Sequence, residues 1–191
     1  MSMINKTIYK TPQRGKILIS EPFLNDFYFK RSVVLLAEHG KEGSFGLIIN
    51  KPIDINLKEI IKEFSEFNTK VFIGGPVRTD SLFVIHSLGK EIPNSTEIIE
   101  GIYWGGNMEV IREKIINKII TPDKIRFYIG YSGWSPNQLE YELKEKAWVI
   151  SDASKEEILN NHPENLWKAI VKSLGKEYAL WANYPIDPML N

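Results

Sequence analysis

The run Val33-Val-Leu-Leu-Ala37 constrains this chain most, because five consecutive apolar residues between Arg31-Ser32 and Glu38 leave no polar face for water. Its length is that of a strand, and its continuous apolarity predicts a strand buried on both faces. Other strand signals crowd the first half. Lys16–Ser20 ends before Glu21-Pro22, and Gly46–Asn50 follows a Gly-rich turn and stops at Lys51-Pro52. Val71–Ile73 and Leu82–His86 flank the turn Gly74-Gly75-Pro76. Later, Ile125, Phe127, Ile129 and Tyr131 alternate with Arg126, Tyr128 and Gly130, the period of a strand with unequal faces.

Helix starts are marked by caps. Asn56 precedes Leu57–Phe64, whose Leu57, Ile60, Ile61 and Phe64 make one stripe. Asn107 precedes a helix with Met108, Ile111, Ile115 and Ile119 on one face. Ser135-Pro136-Asn137-Gln138 combines Pro at the first helical position with Gln where a capping box needs it, and Ser154 with Glu157 repeats the box. Pro163 opens a helix whose Leu166, Trp167, Ile170, Val171 and Leu174 point inward, and Gly175 ends it. Strands come early and helices interleave late without βαβ alternation, which predicts an α+β fold. No repeat, low-complexity tract or linker divides residues 1–191, so one domain is expected.

Composition narrows the function. A hydrophobic fraction of 43% with 25% charged residues excludes wholesale disorder. The absence of Cys removes disulfides, thiolate metal sites and cysteine nucleophiles, and fits a reducing compartment. Met1–Lys6 leads into no apolar stretch of the secretory kind, and no apolar run approaches the ~20 residues needed to cross a bilayer. A cytoplasmic protein without membrane contact is therefore expected. Twenty-four basic side chains balance 24 acidic ones, so nucleic-acid binding would require local concentration of the positives. Lys6, Lys10, Arg14 and Lys16 form one such concentration; Arg112, Lys114, Lys118, Lys124 and Arg126, diluted by Glu113 and Asp123, form another. Both read as solvated surface.

The most pointed motif is Gly130-Tyr-Ser-Gly-Trp-Ser-Pro136, with Asp152 and His162 following in hydrolase order around Ser132. A nucleophile elbow needs Gly two residues after its serine, and Trp134 stands there, so the motif reads as a strand-to-helix turn with glycines at positive φ. The N–H groups after Ser135, walled by Trp134, suit an anion or carboxylate, unless the Ser135 cap satisfies them. His39 and His86 end strands without metal-ligand spacing, so neither a metal nor a cofactor is expected. Phosphate loops are absent: Gly43-Ser-Phe-Gly46 leads into a strand rather than a helix. Gly74-Gly75-Pro76 reads as a backbone reversal that permits close approach. A helix-turn-helix drawn through Ser154–Asn160 and Pro163–Leu174 would open its recognition helix on Glu164, a negative charge where phosphates would lie.

Several blocks resemble the YqgE/AlgH family of bacterial proteins: Pro22–Asp26, Phe29–Val34, Glu38-His39, Gly46–Pro52, Gly74–Pro76, His86, Gly130–Glu140, Trp148 and Leu166-Trp167. They appear in order over nearly the whole chain. Asn137 departs from the family, which commonly has Gly there; as the second residue of a capped helix it is expected to be tolerated. The resemblance implies a branched, mostly antiparallel sheet curled into a pseudo-barrel with helices outside. It carries no established catalytic residues, and a transcriptional-regulator label attached to the family fits poorly with the balanced charge. The family blocks coincide with Arg31, His39, Asn50, Gly74, Gly75, His86, Gly133, Trp134 and Gln138, which become the candidate ligand-binding surface. The leading reading is a non-enzymatic binding or regulatory module for a small ligand or protein partner, with homo-oligomers left open. DNA-binding transcriptional regulation and hydrolysis by Ser132 are the alternatives.

Overall fold

The computed structural model describes residues 6–160 and 162–185. Met1–Asn5, on which part of the secretory-signal expectation rests, lies outside the described residues. Eleven strands are present among them: β1 Ile8–Tyr9, β2 Lys16–Ser20, β3 Val33–Gly40, β4 Gly43–Ile48, β5 Pro52–Asn56, β6 Lys70–Ile73, β7 Val77–His86, β8 Ser95–Ile99, β9 Ile102–Gly105, β10 Ile125–Trp134 and β11 Trp148–Asp152. Between and after them run α1 Leu57–Ile60, α2 Met108–Ile116, α3 Gln138–Lys144, α4 Lys155–Ile158, α5 Leu166–Ser173 and α6 Lys176–Ala179.

The strands form one sheet in the order β1-β11-β2-β3-β4-β10-β7-β9-β8, with β6 on β10 and β5 beyond it. All pairings are antiparallel except β6 with β10. The sheet forks on β10. Phe127–Ile129 pair with β6, and Ser132–Trp134 pair with β4. Gly74, just past β6, stitches the fork: its N–H donates to the Ile129 carbonyl at 2.8 Å, and its own carbonyl accepts the Ile48 N–H at 2.9 Å. A Cβ at Gly74 would stand 2.2 Å from the Gly130 carbonyl oxygen, so the two chains approach this closely only because no side chain intervenes.

The predicted two-faced burial of β3 holds. Val33, Leu35 and Ala37 face an inner core, whereas Val34 and Leu36 face an outer one. The sheet curls into a half-barrel, bringing β3 and β8 close although they are distant in strand order. Helix α5 plugs the hollow with Leu166, Trp167, Ile170 and Val171, and the Trp167 indole donates to the Ser20 carbonyl at 2.9 Å. Outside, α3 covers one arm through Leu139, and α1 and α2 cover the other through Leu57, Ile111 and Ile115. No helix among the described residues is long and apolar enough to cross a membrane.

Local chemistry altered three expected elements. The helix from Asn56 keeps its capping box but breaks at Ile61, which is extended, and resumes as a 3-10 turn over Lys62–Phe64. Asn107 caps α2, but the helix ends at Ile116 and leaves Ile119 exposed. Helix α3 starts at Gln138, because Asn137 is left-handed at φ 65°. That conformation explains a glycine preference at this position better than tolerance within a capped helix does, since Asn is among the few other residues that enter it readily.

Candidate functional site

Gly130–Trp134 is strand throughout, not the strand-to-helix turn the motif suggested. Its special feature is a bulge: Ile129 pairs with Leu82, Tyr131 pairs with Val77, and Gly130 sits between them at φ 68°. Two positions on β10 thus face five on β7, and the left-handed backbone at Gly130 flips the alternation along β10. Ile125, Phe127 and Ile129 face the α1/α2 side, whereas Tyr131 joins Tyr128 on the inner face. A simple period-two reading therefore placed Tyr131 on the wrong side. Gly133 is not left-handed; only Gly130 of the motif's two glycines is.

The hydrolase set is not assembled. Ser132 is fully buried, and its hydroxyl donates to the Gly74 carbonyl at 3.0 Å, tying down the fork. Asp152 accepts from Lys16 Nζ at 2.5 Å and Tyr9 Oη at 2.6 Å. Burial works to raise its pKa, but these bonds and the nearby lysine charges hold it below the ordinary carboxylate value. His162 is exposed and lies 3.7 Å from Glu164. Trp134 is a packing anchor against Phe29 and Trp148, and both indoles donate to one Glu142 oxygen, at 2.9 and 2.7 Å. Gln138 completes this knot. It accepts the Ser135 N–H at 3.0 Å and donates to the other Glu142 oxygen at 3.0 Å.

The remaining candidates divide among separate places. Asn50 accepts the Val33 N–H and donates to the Arg31 carbonyl, while the Arg31 guanidinium lies 5.0 Å over Trp167 and donates to the Tyr184 and Pro185 carbonyls. These residues brace a loop against the end of the described chain. His86 is wholly enclosed and stacked on Tyr103. Its Nδ1 accepts the Leu88 N–H, so Nε2 carries the proton toward Ser95 Oγ at 2.9 Å, and Ser95 donates to the Ile92 carbonyl. Burial lowers the His86 pKa, and this chain of bonds suits the neutral ring. Gly74 and Gly75 press on Gly130 and Tyr131, so their close approach is within the chain.

The C-terminal end of β10 borders a groove. Cross-strand register aligns His39, Ser44 and Trp134 in one row and Glu38, Phe45 and Gly133 in the next. The first row faces α3, where His39 Nδ1 meets Ser44 Oγ at 2.9 Å and Nε2 lies 3.7 Å from Glu140. That separation is beyond a hydrogen bond. The second row faces the hollow. There a groove of about 520 Å³ is floored by Phe45, Tyr131, Val77 and Gly133 and edged by Glu38 and Glu42. Phe45 packs 4.6 Å from Trp104, 4.9 Å from Tyr131 and 5.9 Å from Phe83, with all four rings half-buried. Two carboxylates and no basic side chain line the groove. Sequence reasoning missed Phe45, Tyr131, Glu38 and Glu42, because only the bulge brings Tyr131 to the face of Phe45.

Five of the nine residues in the two basic concentrations are paired with acids. Arg112 bonds Glu63 and Glu109, Lys114 meets Glu91, and Lys118 meets Glu66. Near the start, Lys6 pairs with Glu157 and Lys16 with Asp152. The supposed recognition helix is α5, whose apolar stripe fills the half-barrel.

A forked antiparallel sheet, curled around one plugging helix, defines an α+β class with solved bacterial members. A Corynebacterium diphtheriae crystal structure superposes with a TM-score of 0.77 over 91% of this chain and 93% of that one; at 21% identity it shows the fold alone. The solution structure of the AlgH protein from Pseudomonas aeruginosa gives 0.71 over 90% and 94%, at 29% identity. The chain belongs to the AlgH-like family, whose pattern it matches over residues 17–179. Its relatives include a UPF0301 protein of Bacteroides fragilis, 45% identical over 98% of this chain and 99% of that one. Another, from Cytophaga hutchinsonii, is 42% identical over 93% and 98%.

Proposed function

We propose that this protein is a binding module whose ligand presents a positive charge beside a flat apolar group to the Phe45–Tyr131 groove. The observation that carries this reading is the union of half-exposed aromatic rings with a rim holding carboxylates and no cation. An aromatic face attracts a cation by about 0.5–2 kcal/mol depending on desolvation. Each exposed carboxylate adds roughly 0.2–1 kcal/mol. The sum, roughly 1–4 kcal/mol, corresponds to a preference of at least about fivefold for a cationic ligand over its neutral twin. The same rim repels nucleic-acid phosphates, and the paired state of the lysine and arginine clusters disfavours the DNA-regulator reading. The engagement of Ser132 with Gly74 disfavours the hydrolase reading.

The test uses two matched pairs: benzamidine with benzamide, and a short Arg-Phe peptide with its Gln-Phe twin. Titration calorimetry should show the cationic member of at least one pair binding at least about fivefold more tightly. The Glu38→Gln/Glu42→Gln double variant should abolish that preference. Equal binding of charged and neutral twins, or no binding by either cation, would overturn the reading. The small amidine and the peptide distinguish a metabolite-like ligand from a protein partner.

A further inference from the structure

We propose that a second site, at the opposite end of β10, binds an oxyanion, a carboxylate or phosphate carried by a small organic molecule. Arg126 and Trp134 lie eight positions apart on one strand, so the ends are roughly 25 Å apart at strand rise. The cleft there measures about 630 Å³ and is lined by Phe72, Thr69, Lys70, Arg126, Asn160 and Pro163. That volume falls within the range usual for small-molecule sites.

Arg126 is 7% exposed and pairs with no carboxylate among the described residues. Its guanidinium donates to the Ile158 carbonyl at 2.8 Å and to the Asn160 carbonyl, and lies 4.9 Å over the Phe72 ring. Carbonyls satisfy N–H groups but leave the charge unneutralised, and a guanidinium has five N–H donors, of which the carbonyls take two. Enclosing such a charge is costly unless an anion joins it. Tyr128 lies two residues along on the same face, behind the cleft wall. It is entirely enclosed, packs 5.5 Å from Phe72, and its hydroxyl faces the Arg126 guanidinium. Burial raises its pKa to about 12 against the charge and hydrogen bond of Arg126, so the phenol stays neutral and does not balance the guanidinium charge. The planar guanidinium fork at the cleft wall matches the two oxygens of a carboxylate or phosphate. Asp123 and Glu164 also border the cleft, but both are exposed, as is Lys70. Anchoring of the α4–α5 turn explains the two carbonyl bonds, though not the unpaired charge.

Thermal unfolding with inorganic phosphate and with benzoate, against chloride at equal ionic strength, tests this site. At least one anion should raise Tm saturably, and its identity separates phosphate from carboxylate recognition. Arg126→Lys, which keeps charge but loses the fork, should weaken the apparent affinity about tenfold. Lys70→Glu, on the exposed rim, should weaken it in the same direction without touching the fold. No saturable shift beyond chloride would overturn the proposal, as would a shift that persists unchanged in both variants. Neither result bears on the Phe45–Tyr131 groove, which takes the opposite charge.

Discussion

Glu142 makes the outer layer specific. One of its oxygens accepts two nearly buried indole N–H groups, and the other accepts the Gln138 amide. Replacement by Ala strands both indoles, and each unmet buried donor costs about 1–3 kcal/mol. Glu142→Ala should therefore lower the urea midpoint substantially, with a tryptophan emission change, whereas Glu142→Gln, which keeps an acceptor oxygen, should lower it less; equal loss in both would contradict this role. Asn137 makes a second residue-scale case. Left-handed backbone costs an ordinary side chain roughly 1–2 kcal/mol, so Asn137→Ala should destabilise while Asn137→Gly should not. The Asn signal was visible in the chain, but its cause was not. A dipeptide such as Pro136-Asn137 suits both a helix start and a left-handed turn, and only the hydrogen bond of the Ser135 N–H to Gln138 decides between them.

At the scale of elements, the fork on β10 governs the architecture. Gly74→Ala places a methyl 2.2 Å from the Gly130 carbonyl, whereas nothing lies within 4 Å of one at Gly40. Urea unfolding should find Gly74→Ala beyond ~3 kcal/mol destabilised or unfolded, and Gly40→Ala within about 0.5 kcal/mol of the parent. Comparable losses would mean that the fork is not a tight contact. The elements β2, β3, β10, α5 and the second half of β7 were legible because their apolar residues run unbroken or at a fixed period. Strands β1, β5, β8, β9 and β11 went unread: they are two to five residues long, and β1 and β11 find their partners far along the chain. The bulge escaped for a related reason. Gly130 looks like any glycine in an alternating run, and its effect on Tyr131 exists only once Val77 and Leu82 are in register.

Across the whole molecule, the candidate residues scattered because each solves a different local problem: Asn50 and Arg31 hold a loop, His86 closes a buried hydrogen-bond chain, and Gly74 and Gly75 admit the fork. His86 also makes a pH prediction. Its folded pKa lies below the ordinary value of about 6.5, so the unfolded chain takes up the proton first. The stability tied to the neutral ring is complete above about pH 6.5 and is lost as pH falls through that value toward the folded pKa. Urea midpoints should decline between about pH 7.5 and pH 5.5, and His86→Gln should flatten that slope whatever its own stability. An unchanged slope would remove His86 as its source.

The central claim is that ligand recognition occupies the groove at the bulged end of β10. An amide NMR titration with the Arg-Phe peptide and with benzamidine tests it most directly. Saturable shifts from either should centre on Ser44, Phe45, Val77, Tyr131 and Gly133, with Thr69, Lys70 and Asn160 unmoved. Shifts centred elsewhere, or a surface unmoved by both probes, would contradict the account.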